Sequence, residues 1–256
     1  MKSSNHNILF LSAFIILFAL FYGLSLLTSN FDWTWSRILI CLVTVSGVTV
    51  AWSLIKNVSL AQSFRDVGFG IPNWRVMGIA VVISALMLVF FPLYSSLANV
   101  DLPLKSNWFW ILIGIITGVG IAEETLFRGY VFGFLRETRT FMKAATLSMF
   151  LFGAMHLLLL LWLPLPVAIA AILLAIIAAY PTAYLFETGN RTIWPSAILH
   201  TTALATNLFE IPADLMIPLS LMWIGVIVIG MSLVFVAGKF LLGQYAHTRR
   251  GEFSTF

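Results

Sequence analysis

The sequence predicts an all-α fold, a polytopic membrane protein with about eight transmembrane helices. Three observations predict it. Apolar residues make up 61 % of the chain and charged residues only 9 %. The mean hydropathy is +1.01. Apolar runs of spanning length recur along the whole sequence, roughly at 8–28, 38–55, 76–98, 108–136, 143–161, 165–186, 193–209 and 216–242. A soluble domain of this size carries far more charge. The runs leave no room for a soluble domain, so residues 1–256 are expected to form a single membrane domain.

The first run is too long for a signal-peptide core, and no small-residue cleavage pattern follows Leu27, Thr28, Ser29 and Asn30, so it is expected to stay as a helix. The second run holds Cys41, the sole cysteine, which rules out a disulfide within the chain and fits a small buried hydrophobe. The stretch 59–75 is mildly amphipathic and basic. It is expected either to lie on the inner leaflet or to form a plain cytoplasmic loop. The remaining runs are separated by short polar connections, including 99–107, 137–142 and 187–192.

Orientation follows from the basic residues. With the N-terminus inside and eight crossings, twelve of the fourteen Lys and Arg fall on the cytoplasmic side. They include Lys2, Lys56, Arg65, Arg75, Arg136, Arg139, Lys143, Arg191, Arg249 and Arg250; only Arg37 and Lys105 fall outside. The expected location is therefore the cytoplasmic membrane, multi-pass, with both termini cytoplasmic. Trp33, Trp35, Trp74, Trp108, Trp162 and Trp194 sit near run ends, as an interfacial belt requires. The net charge of +4 reports topology, and no nucleic-acid partner is implied.

Few polar side chains lie deep in the runs: Glu123, Glu124, Arg128, His156, His200 and Asn207. A carboxylate in hydrocarbon costs roughly 2.5 kcal/mol or more, so the adjacent pair Glu123 and Glu124 reads as a functional site. Glu124 and Arg128 are four apart with the acid first, and can pair on one helix face. Glu123 is turned about 100° away, free for other work. Glu123 and His156 each lie about 24 Å of helix from the turn near Arg139, hence at equal depth in an antiparallel hairpin. His200 lies only about 15 Å beyond the turn at Gly189–Arg191. His6 and His247 belong to terminal segments and are expected to be bystanders, while Glu187 and Arg191 flank a turn and suit pairing.

A carboxylate with two histidines suits two hydrolytic schemes. In one, Glu123 takes a proton from water and a histidine stabilises the oxyanion. In the other, Glu123, His156 and His200 hold a metal, with zinc the natural candidate, that activates the water. A proton- or ion-coupled transporter uses the same residue types.

The motifs break the tie. Glu123, Glu124 and Arg128 match EExxxR, Phe152 and His156 match FxxxH, and His200 follows as the third-motif histidine. In this order they resemble the CAAX-processing and bacteriocin-processing (CPBP, or Abi) family of intramembrane proteases, over roughly residues 108–210. The resemblance implies an intramembrane endopeptidase acting on a peptide or protein substrate in or at the bilayer, entering from the cytoplasmic side or laterally from lipid. It implies Glu123 as the base, His156 as the residue that positions water, and His200 as the group assigned to the oxyanion or to metal. Glu124 and Arg128 are implied to be supporting. The family has been described as both metal-dependent and metal-independent, so zinc and no cofactor both stand. One departure matters: the third motif is usually HxxxN or HxxxD, and here the position holds Leu204. Asn207 lies about one turn further on and is the available substitute. A non-catalytic family member acting as a membrane binding, immunity or regulatory protein is the alternative reading.

Overall fold

The computed structural model describes residues 2–28, 31–161 and 165–239. Trp162, His247, Arg249, Arg250 and the end of the last apolar run lie outside the described residues. The fold is all-α, and seven of its helices are long and apolar enough to cross a membrane.

Helix α1 spans Lys2–Leu27 and α2 spans Trp33–Lys56. Asp32 caps α2, its Oδ1 accepting from the Thr34 backbone N–H at 3.0 Å, and Asn57 ends the helix in the left-handed region at φ 54°. A short helix α3, Leu60–Phe64, runs into a wide turn at Arg65–Phe69. Helix α4, Trp74–Ala98, is capped by Asn73. The long helix α5, Trp108–Arg136, carries the acidic pair. Helix α6, Phe141–His156, continues as a tight 3₁₀ turn at Leu157–Leu161. Helix α7 is Leu165–Thr188, α8 is Trp194–Ala203 and α9 is Met216–Ala237.

The run 193–209 departs from expectation. It yields α8, only ten residues long, then a 3₁₀ turn at Ala205–Leu208. Ten residues rise about 15 Å, half a bilayer core. Leu204 breaks the helix at φ −96°, ψ 14°. The loop before α5 folds in to meet it: Leu104 pairs with Phe209, and the Lys105 backbone N–H donates to the Leu208 carbonyl at 2.9 Å. Seven long helices and one short passage thus replace eight full spans among the described residues.

Part of the stretch 59–75 folds into the bundle, while Leu60, Phe64 and Ile71 stay exposed. Val67 and Gly68 are fully buried, and Gly68 adopts φ 113°, a conformation open to glycine. The Gly68 carbonyl accepts from the Ile193 backbone N–H at 3.1 Å, and the Gly70 carbonyl accepts from the Trp194 indole at 3.1 Å. The segment is a plug wedged between α5 and the start of α8. Gly129 permits it: a Cβ there would lie 2.1 Å from the Val67 carbonyl oxygen.

Two apolar cores hold the bundle. One surrounds α5 with Phe10, Phe14, Trp52, Phe127, Tyr130, Phe132 and Phe152. The other joins α4, α7, α8 and α9 through Ile83, Met87, Leu199, Trp223 and Met231. Lipid-facing surfaces are apolar, as Leu54, Leu86, Phe150, Ile217 and Leu221 show by their exposure. Trp33, Trp35, Trp74 and Trp108 are exposed at helix starts. One end of the bundle gathers the polar contacts Lys56–Glu137, Arg136–Glu187 (2.9 Å) and Arg191 to the Gly133 carbonyl (3.1 Å). That end is the one rich in basic residues.

Candidate functional site

The centre of α5 is not a regular α-helix. Ile116–Glu123 and Thr125–Phe132 wind as π-helix, on either side of Glu124. Such wide turns are uncommon and recur at functional sites. Here they carry the whole acidic motif.

Glu124 is fully buried and meets two partners. Its Oε1 accepts from His200 Nδ1 at 2.8 Å, and its Oε2 lies 3.3 Å from Arg128 Nε. Arg128 is itself 1 % exposed. It donates from Nε to the Thr182 hydroxyl at 2.9 Å, and its guanidinium lies 4.7 Å above the Phe152 ring. Thr182 follows Pro181 within α7 and donates to the Ala178 carbonyl at 2.7 Å. Four helices are thereby tied at one level by a buried charge network, each ion offset by an opposite charge or a dipole.

Phe152 is the hub of this network. Its fully buried ring meets the His156 ring at 4.6 Å and the His200 ring at 5.9 Å, both edge to face, with Arg128 beside it. Phe152 thereby sets the position of both imidazoles.

Glu123 points elsewhere. It lines a cavity of about 410 Å³ with Tyr22, Arg37, Met155, His156 and Leu204. Its Oε2 is buried without a hydrogen-bond partner among the described residues. His156 holds Nδ1 against the Phe152 carbonyl at 2.9 Å. A carbonyl only accepts, so Nδ1 carries a proton, and in the neutral imidazole Nε2 presents a lone pair. A second cavity, about 230 Å³, is lined by His156, Leu159, His200, Leu204 and residues of α7 and α9. His156, Leu159 and Leu204 line both, so the two spaces adjoin.

The structure therefore brings Glu123 and His156 to one cavity, and His156 and His200 to the next. It does not bring Asn207 there. Asn207 is exposed, donates to the Leu204 carbonyl at 2.9 Å, and lines a separate cavity with Asp101, Lys105 and Glu210. The chain break at Leu204 turns it away. Leu204 itself faces the site, and it is apolar.

A zinc triad from Glu123, His156 and His200 does not form. No three His, Cys, Asp or Glu among the described residues converge as metal ligands. Glu123 and His200 line different cavities. The donor set does not fit a tetrahedral metal site.

Two lining residues were missed from the sequence. Tyr22 donates to the Met155 carbonyl at 2.7 Å and stands near Glu123. Arg37, expected on the outer side, lies in α2 and lines the Glu123 cavity, its charge interacting with the Glu123 carboxylate. Its neighbours carried a signal: Gly118, one turn before the acids, has room for no Cβ because Arg37 Cδ would lie 2.6 Å from it.

Residues 105–206 match the Rce1-like family, described as type II CAAX prenyl endopeptidase Rce1-like. Over those residues the chain is similar to that family's domain, and the family is one of intramembrane proteases acting on peptides. No curated protein matches the chain. The matched segment contains α5, α6, α7 and α8, which supply Glu123, Glu124, Arg128, His156 and His200. Tyr22 and Arg37 lie outside it.

Proposed function

We propose that this protein is an intramembrane endopeptidase of the cytoplasmic membrane, with both termini inside, that hydrolyses a peptide bond with a glutamate-activated water. The observation that carries the reading is the pairing of two unpartnered acceptors on one cavity. Glu123 Oε2 and His156 Nε2 both offer lone pairs there. A water that donates its two hydrogens to them turns an oxygen lone pair outward for attack. Glu123 takes the proton as the oxygen adds to the substrate carbonyl carbon. It returns that proton to the departing nitrogen when the C–N bond breaks.

His200 and Glu124 then have separate roles. Glu124 fixes His200 through Nδ1, and His200 Nε2 accepts from a backbone N–H of the substrate lying in the second cavity. Arg128 pairs with Glu124 and keeps the helices in register. No step needs a metal.

Mapping of new peptide termini in membranes from cells expressing the wild type or Glu123→Gln tests this. Termini that form with the wild type and vanish with Glu123→Gln are expected, with equal expression of both. Identical terminus profiles would sink the protease reading. They would leave the binding, immunity or regulatory alternative, or proton or ion flux measurable in proteoliposomes.

A further inference from the structure

The proposed reaction leaves one need unmet. When water adds to the peptide carbonyl, the oxygen becomes an anion and needs a donor aimed at it. Leu204 offers none, and Asn207 faces another cavity. His156 presents a lone pair from Nε2. Neutral His200 does the same, because its Nδ1–H is directed at Glu124. Arg128 has an unpartnered Nη1 but lines neither cavity.

Resting on the endopeptidase reading, we infer that Arg37 of α2 is the oxyanion donor, its guanidinium replacing the amide that Leu204 lacks. Four observations support it. Arg37 lines the cavity that holds Glu123 and His156. Among the described residues it makes no hydrogen bond or ion pair within contact distance, so its donors are free for a ligand. The Trp33 ring, 5.4 Å from its guanidinium, and the missing side chain at Gly118 fix its path along α5. Opposite charges on Arg37 and Glu123 face one cavity yet do not close into an ion pair. Two such groups in a low-dielectric site collapse together unless the packing holds them apart. The gap suits a water on the Glu123 side and a carbonyl oxygen on the Arg37 side.

The charges balance. Glu123 and Glu124 are matched in charge by Arg37 and Arg128. In the addition step the π pair of the carbonyl moves onto oxygen beside Arg37, while the water proton moves to Glu123. Collapse returns that pair, breaks C–N and passes the proton to nitrogen. Arg37 exchanges no proton; it only meets the charge as it develops.

The test uses a fluorescence-quenched peptide spanning a Glu123-dependent cleavage point, with the full chain in proteoliposomes. Arg37→Ala should lower kcat about 100-fold or more with little change in KM. Added guanidinium should restore a measurable part of the rate, which a merely structural role would not allow. Arg37→Lys should fall between. Leu204→Asn in the Arg37→Ala background should recover activity by supplying a neutral donor on the same cavity. Wild-type kcat in Arg37→Ala, with Glu123→Gln inactive, overturns the Arg37 assignment alone. An active Glu123→Gln overturns the endopeptidase reading, and the Arg37 assignment falls with it. Should Arg37→Ala not fold, Gly118→Val in a chain retaining Arg37 displaces the guanidinium. An unchanged kcat there counts against the proposal.

Discussion

Replacing Arg128 by Met removes the cation that Glu124 was built around. Both side chains are almost fully buried, at 1 % and 0 % exposure. Three contacts vanish together: the 3.3 Å ion contact, the 2.9 Å bond to Thr182 and the 4.7 Å stacking on Phe152. The volume is roughly kept, so the main cost is a carboxylate left with the neighbours His200 and Ser196 but no cation four residues on. Breaking one side of a buried pair costs about 3–5 kcal/mol. At this chain length each kcal/mol moves Tm by about 2–4 °C, giving a drop of roughly 6–20 °C. Thermal unfolding in detergent, followed by loss of monodisperse protein on size exclusion, measures it. The double variant Glu124→Gln/Arg128→Met should regain part of the loss, since the stranded charge is gone. A single variant within a degree of wild type, or a double variant worse than the single, would refute the reasoning.

Other outcomes follow from the same geometry. Gly129→Ala drives a methyl toward the Val67 carbonyl and should loosen the 65–69 plug, read as faster amide exchange at Gly68 and Ile193 and a lower Tm. Asn207→Ala should leave cleavage within about twofold of wild type, because its amide only reaches the Leu204 carbonyl on a surface turn. Phe152→Leu should cut the rate of Glu123-dependent cleavage at least tenfold through misplaced imidazoles, with rotamer change visible in histidine NMR spectra. A strong chelator should leave cleavage unchanged, since Glu123 and His200 do not share a cavity.

Much of the site is legible in the sequence. The four-residue spacing gave the Glu124–Arg128 pair, and counting residues from the turn near Arg139 put Glu123 and His156 at one level. Those inferences rest on helix rise and period, and the Glu124–Arg128 contact persists despite the wider winding of α5. The site residues that escaped are those set by tertiary approach. Arg37 sits four residues into α2, where interface arginines also sit, and only contact with Gly118 separates the two cases. Composition cannot show that α8 stops at Ala203, because Leu204 is as apolar as a spanning residue; the inward fold of 103–105 decides it. Val67 and Gly68 are buried by a neighbour's missing side chain, a property of Gly129 that no local pattern around 59–75 reveals.

The position of the Glu123 cavity along α2 has a consequence for timing. Arg37 lies about 6 Å of helix from the Trp33 end and about 28 Å from the Lys56 end. The other walls, Ser25, Leu26 and Leu159, belong to the same end. With the basic end inward, as proposed, a substrate would meet Glu123 only after threading most of the bilayer or by sliding in from the outer leaflet. The cut would then come late in a protein's passage through the membrane, releasing one fragment on the far side from the ribosome.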